Sequence, residues 1–162
     1  EISKFSLKNK NINFKILRLS NCFGYPLKNN VKYWKMIINN ICKNIFIKNE
    51  IIINSNINFY RDYLSTSTFC KILDKLIKKK TKGLIFNICS GKSVKISIIA
   101  KKIQFLLSKK LKKNIKISSK FIHNEKKIIY SNKKISRFVG PIRNDLETEL
   151  LNLLIYCNRK FR

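Results

Sequence analysis

Three short stretches carry residues that could act on an anionic ligand. In RLSNCFGYP (residues 18–26), Arg18 and Asn21 stand at the end of an apolar run and are followed by Gly24 and Pro26. A strand exit needs only a turn residue or two. The Asn21 amide can either close a local turn or donate to phosphate and sugar oxygens without adding charge. RDYLS (61–65) supplies Arg61, whose planar fork fits two phosphate oxygens or pairs with its neighbour Asp62. In LIFNICSGKSVKIS (84–97), Asn87 can meet a ligand or satisfy backbone where a strand ends. SGKS within that stretch looks like the end of a phosphate-binding loop. That motif requires glycine five residues before its second glycine, and Phe86 occupies the position. Cys22, Cys42, Cys70, Cys89 and Cys157 form no C-x-x-C pair, and His123 has no zinc-ligand spacing to any of them. Five buried, reduced thiols are the expectation, which suits a cytoplasmic protein.

Alternating strands and helices must position these residues. Phe14 to Leu19 reads as a buried strand. Trp34, Ile37, Ile38, Ile41 and Ile45 recur at helical spacing. Ile51 to Ile53 is a short β-branched run, and Phe59 to Leu64 reads as extended. Phe69, Ile72, Leu73, Leu76 and Ile77 mark an amphipathic helix with Thr68 as its expected N-cap. Leu84 to Ile88 is the next apolar strand. Ser97 opens a helix carrying Ile98, Ile99, Ile103, Leu106 and Leu107, and Ile115 with Ile117 alternates as in a strand. Asn144 and Glu147 have capping-box spacing before a last helix with Leu146, Leu150, Leu153, Leu154 and Cys157 on one face. The pattern predicts an α/β fold in a single domain over residues 1–162.

Composition narrows the classes. The chain is 162 residues long, 44% apolar, with a formal net charge of +28. That apolar content excludes a disordered chain, and no segment is long and uncharged enough to predict a membrane span. The charge suits a nucleic-acid binder. It also has a compositional source. The 28 Ile, 30 Lys and 20 Asn make up nearly half the chain, and all three can be written with A/T-only codons. The lysines are scattered, and arginine, the better phosphate fork, occurs six times.

Taken in order, RLSNCFGYP, RDYLS with its amphipathic helix, and LIFNICSGKSVKIS resemble the C-terminal half of the NAD-dependent epimerase/dehydratase family. These are the extended short-chain dehydrogenases acting on nucleotide sugars. Members show R-x-x-N-x-x-G, then R-D-[FY], then [FY]-N-[IL]-x-[ST]-G. SNKKISRFVG and NDLETELLNLL resemble the family's closing pair of helices. The resemblance implies the C-terminal part of a Rossmann-like doubly wound sheet with a smaller substrate-binding subdomain. It implies NAD or NADP as cofactor, with Leu19 and Ser20 near the nicotinamide. Asn21, Arg61, Phe86 and Asn87 would hold a nucleotide-sugar substrate, and Lys120 is the nearest cation to a position where many members carry a second diphosphate-gripping arginine. The reaction class is epimerisation, dehydration or reduction, in surface-polysaccharide sugar synthesis.

The chain also departs from the family. Thr68 stands where members carry an acid. No Tyr-x-x-x-Lys pair precedes the R-x-x-N strand, where the family carries its own, and the Gly-rich dinucleotide loop does not occur in the sequence; the same spacing at Tyr130–Lys134 and Tyr156–Lys160 lies far beyond that strand. By resemblance the family's pair and loop would lie upstream of Glu1. The expectation is therefore a substrate-side half, working with a separate N-terminal half or as a homodimer. A basic nucleic-acid-binding protein and an inactive truncated remnant are the alternatives.

Overall fold

The computed structural model describes residues 15–27, 31–79, 84–121, 123 and 126–161. Seven strands and five α-helices alternate through them, as an α/β fold. Strand β1 (Lys15–Leu19) pairs in parallel with β5 (Leu84–Ile88), with Leu17 opposite Phe86 and Arg18 opposite Asn87. Strand β2 (Asn21–Phe23) pairs in parallel with β4 (Tyr60–Ser65), and β4 pairs antiparallel with β6 (Ser93–Lys95). Strands β3 (Ile51–Asn56) and β7 (Ile117–Phe121) form a third parallel pair. Phe14, the expected start of the first strand, lies outside the described residues.

One extended segment thus serves two sheets. Residues 15–19 follow β5, Ser20 donates its backbone N–H to Ile88 O at 3.0 Å, and residues 21–23 turn to β4. Ser20 is the point of exchange, so its neighbours on either side sit where the two sheets diverge. Alternation along β4 then divides the interior. Tyr63 faces one core and Leu64 the other.

The larger core is built by three helices whose apolar residues recur every three or four positions. They are α1 (Ile37–Lys48), α3 (Ile96–Leu111) and α5 (Leu146–Lys160). Ile41 and Ile45, Ile99 and Ile103, and Leu150 and Leu154 meet there, over Ile51 and Ile53 of β3. The smaller core lies under β1 and β5. Helix α2 (Thr66–Ile77) brings Ile72 and Leu76, and the short α4 (Lys133–Val139) brings Ile135 and Val139, around Phe86 and Ile88.

Helix ends differ from the sequence expectation for identifiable reasons. Ser65, not Thr68, caps α2. Its hydroxyl accepts from Thr68 N at 3.2 Å and donates to Thr68 Oγ1 at 2.7 Å. Trp34 belongs to a separate 3-10 turn (Val31–Lys35), because Met36 takes an extended conformation and breaks the run before α1. The Asn144–Glu147 capping box does not form. Asn144 instead donates its amide to Tyr63 O at 2.8 Å and accepts from Ser65 N at 2.9 Å. Those two bonds tie Asn144 to the backbone of β4 on either side of Leu64 and leave its side chain no part in capping α5. Helix α3 has no side-chain cap. The carbonyls of Phe59 and Ile57 accept its first N–H groups, from Ile96 and Ser97. Ile115 is buried just ahead of β7 rather than within it.

All five cysteines are free. Cys42, Cys89 and Cys157 are buried, but Cys22 is half-buried and Cys70 is exposed, against the expectation of five buried thiols. Among the described residues no helix is long and apolar enough to cross a membrane, and no three His, Cys, Asp or Glu side chains gather as a metal site.

Candidate functional site

The divergence at Ser20 opens a cleft. A cavity of about 410 Å³ is walled by Arg18, Leu19, Ser20 and Asn21 from the first segment, by Asn87 and Cys89 from β5 and its exit, and by Tyr130. A second cavity of about 210 Å³ lies on the other side of the same residues. Leu19, Ser20 and Asn21 belong to both, and Met36, Ile37, Ile38 and Tyr63 complete the second. The order of the two sheets decides this: β1 and β5 exit side by side, while β2 leaves toward β4.

Two groups in this cleft have buried polar atoms without protein partners, the Ser20 and Tyr63 hydroxyls. Buried polar atoms are almost always hydrogen-bonded, so these two hydroxyls are free to bond an atom that enters the cavities they line. Burial pushes the Tyr63 phenol far above its ordinary range, and the nearby positive charge of Arg61 opposes that shift. Tyr63 is therefore a neutral donor. Burial first, and then the neighbouring Asp62 charge, push the Cys89 thiol up. Its Sγ donates to Tyr130 O at 3.5 Å. A neutral, bonded thiol is a wall residue and not a nucleophile.

The six residues singled out from sequence, together with Lys120, divide as follows. Leu19 (45% exposed), Ser20, Asn21 and Asn87 converge on the larger cavity. Asn21 donates its Nδ2 across the sheet to Asp62 O at 3.2 Å, so it joins two strands rather than closing a local turn. Arg61 stacks its guanidinium on the Phe59 ring at 4.0 Å and donates to Tyr60 O at 2.7 Å. It shares a face of β4 with Tyr63 and its charge acts on that phenol, but it lines neither cavity. Phe86 does not reach the cleft. Its side chain is fully buried in the smaller core, edge-on to Phe138 at 5.3 Å, because position 86 points to the helix-covered face of the β1–β5 pair. The Lys120 side chain lies outside what the structure describes.

Asp62 has a different job from the Arg61 partner that adjacency suggested. Its carboxylate is fully buried and accepts from Ser90 N and Gly91 N, each at 2.8 Å. The glycine of SGKS has φ +77°, a conformation that favours glycine. The loop that looked like a phosphate cradle thus closes on an internal carboxylate. Thr68, at the position of the family's acid, holds the chain ahead of α5. Its Oγ1 accepts from Asp145 N at 3.2 Å and donates to Arg143 O at 3.4 Å. Sequence reasoning missed Tyr63, Cys89 and Tyr130 as cleft residues. For Tyr63 the signal was present, since it follows Arg61 and Asp62 directly. For Tyr130 the contact gave none, because 41 positions separate it from Cys89, with β6, α3 and β7 between them.

No family model matches the sequence, and no curated protein matches it significantly. Solved structures do match. A structure of RMD from Pseudomonas aeruginosa complexed with NADPH superposes with a TM-score of 0.78 at 15% identity, over 98% of this chain and 53% of that one. The chain has the fold of the C-terminal half of an NAD-dependent epimerase/dehydratase. The dTDP-glucose 4,6-dehydratase of Bacillus anthracis, in complex with NAD, gives a TM-score of 0.73 at 19% identity, over 98% of this chain and 49% of that one. The UDP-N-acetylglucosamine 4-epimerase of Methanobrevibacter ruminantium, in complex with UDP-N-acetylmuramic acid, gives 0.74 at 17%, over 94% and 48%. The chain spans about half the length of these epimerase/dehydratase structures, in keeping with the resemblance carried by its three stretches.

Proposed function

We propose that the chain is the substrate-side half of an NAD(P)-dependent nucleotide-sugar epimerase, dehydratase or reductase. The observation that carries this reading is the convergence of Leu19, Ser20, Asn21 and Asn87, from stretches more than sixty positions apart, on one cavity with an orphaned hydroxyl. The fold shared with enzymes of dTDP- and UDP-sugars and the match of these residues to the family's motifs support it.

The residues present fit the reactive end of a nicotinamide cofactor: Leu19 offers an exposed apolar surface, and the Ser20 hydroxyl beside it lacks a partner. Such a cofactor would supply hydride transfer to or from the sugar. The chain's own residues bind and orient. Asn21 donates to a phosphate or sugar oxygen, and Arg61, rigidly stacked on Phe59, clamps the diphosphate. Tyr63, held neutral by burial, donates from the far wall of the smaller cavity. The general base is not assigned to this chain: the family's Tyr-x-x-x-Lys pair precedes the R-x-x-N strand, and here that spacing occurs only beyond it, at Tyr130–Lys134 and Tyr156–Lys160.

A complementary dinucleotide-binding unit completes the site, whether it belongs to the same polypeptide or to another. The β1–β5 pair supports this. Parallel strands are normally buried on both faces, yet Leu19 and Ile85 are exposed, and among the described residues no further strand joins the pair. Sugar synthesis for surface polysaccharides is the setting this reading favours.

Calorimetric titration of the protein with that unit present tests the assignment. A UDP- or dTDP-sugar binds, and Arg61→Ala weakens it by about 2–3 kcal/mol, as for a charge-assisted hydrogen bond, while NAD affinity stays the same. Equal loss of both ligands, or no nucleotide-sugar binding by the parent protein, overturns the assignment.

A further inference from the structure

A third cavity, of about 550 Å³, lies between α3 and residues 114–116, and it shares no residue with the cleft at Ser20. Its floor is fixed by Gln104, which donates to Ile115 O at 2.7 Å. The exposed Lys101, Lys116 and Asn114 line it together with Phe105. Phe105 is the unexpected member. It is 51% exposed on a helix whose other large apolar residues near it, Ile103, Leu106 and Leu107, are buried. Lys109 sits over its ring at 4.9 Å from the centroid.

The charge around this groove is one-sided. Residues 75–124 contain 15 lysines and no Asp or Glu. Among the described residues Lys102 is the one lysine of α3 that meets a carboxylate, that of Glu147 at 3.5 Å. A/T-rich codons account for many of the lysines, but composition alone does not place a half-exposed phenyl ring beside them in a concave wall.

We infer that this groove binds single-stranded nucleic acid. A half-exposed ring offers a stacking platform for an unpaired base, the amide can bond a base edge, and the lysines that line the groove neutralise the flanking phosphates. A duplex cannot present a free base face to Phe105. A membrane surface fits less well, because interfacial helices present a broad convex apolar face. Here the exposed apolar residues of α3 are Ile98 and Phe105, two turns apart and separated by Lys101 and Lys102.

The test uses the complete protein and a short fluorescein-labelled oligouridylate, followed by anisotropy across about 50 to 200 mM salt. Lys101→Glu/Lys116→Glu weakens binding about tenfold or more and lowers the salt slope by about 1.4, the value for two phosphate contacts on a single strand. Phe105→Ala weakens binding about fivefold or more, the low end for one stacked base, with the slope unchanged. Lys126→Glu/Lys127→Glu, an equal change of charge at exposed positions elsewhere, has little effect, and saturating nucleotide sugar does not displace the oligonucleotide. Phe105 is half-exposed, so folding survives its removal, and circular dichroism verifies this. Equal losses for the two double variants would reduce the binding to net charge and overturn the inference. Displacement by nucleotide sugar, an unaffected Phe105→Ala, or binding to phosphatidylserine vesicles in place of the oligonucleotide would each overturn it as well.

Discussion

Removing the Asp62 carboxylate tests how the cleft is held open. Asp62 is fully buried, and its two oxygens each accept a backbone N–H at 2.8 Å, from Ser90 and Gly91. A hydrogen bond to a charged group contributes about 1.5–3 kcal/mol. Both amides sit on a loop that water partly reaches, so they rehydrate when the acceptor is lost, and the lower figure applies to each. Asp62→Ala should therefore destabilise the protein by about 3 kcal/mol. Asp62→Asn keeps one acceptor oxygen but sets an NH₂ group against the other N–H, and should cost about half as much or a little more. The effect should also be local. Cys89 immediately precedes the loop, and its thiol is buried in the cavity wall. Release of Ser90 and Gly91 should expose it and speed its reaction with a thiol reagent under native conditions. Urea unfolding and the rate of Cys89 modification, followed by mass spectrometry, measure the two effects. An Asp62→Ala protein within about 0.5 kcal/mol of the parent, or one with an unchanged Cys89 rate, would refute the reasoning. The carboxylate would then be an incidental neighbour of the loop rather than its anchor.

Other consequences follow from single contacts. Lys112 ends α3 at φ 53° with its cap N–H on Leu107 O. Lys112→Gly relieves a left-handed conformation and should stabilise the protein by about 1 kcal/mol in thermal unfolding; a loss of stability would contradict the strain. Gly24 lets β2 approach α5, since a Cβ there would meet the Glu149 carboxylate and lie 2.6 Å from Thr66 Oγ1. Gly24→Ala should cost about 1–3 kcal/mol as overpacking does, and a neutral result would show that this junction gives way. Burial pushes the Cys157 thiol up to about 12, from an ordinary 9.0, with Lys160 and Lys43 opposing the shift. Its contribution to stability is present in full below pH 9 and is lost between there and about 12, as the unfolded chain ionises first. Cys157→Ala should flatten that alkaline decline, and an identical pH profile would exclude Cys157 as its source.

The local sequence determined the helices and the order of elements. Ile99, Ile103, Leu106 and Leu107, or Leu150, Leu153 and Leu154, have to share a face, because helical spacing is a property of neighbours. The three stretches that carry the family resemblance are likewise local, and they led to Leu19, Ser20, Asn21 and Asn87. Tertiary structure decided what those residues do. Nothing near Ser20 in the chain says that the strand exchanges β5 for β4 there, since both partners lie more than forty positions away. Asp62 has Arg61 beside it in sequence, but two amides nearly thirty positions on take its carboxylate. Asn144 has the spacing of a cap and spends its amide on β4 instead. Phe86 belongs to a motif that lines a ligand in the family, yet the parity of β5 turns it into the core. In each case several partners are chemically acceptable locally, and only the packing of distant elements selects which donor or acceptor is buried without an alternative.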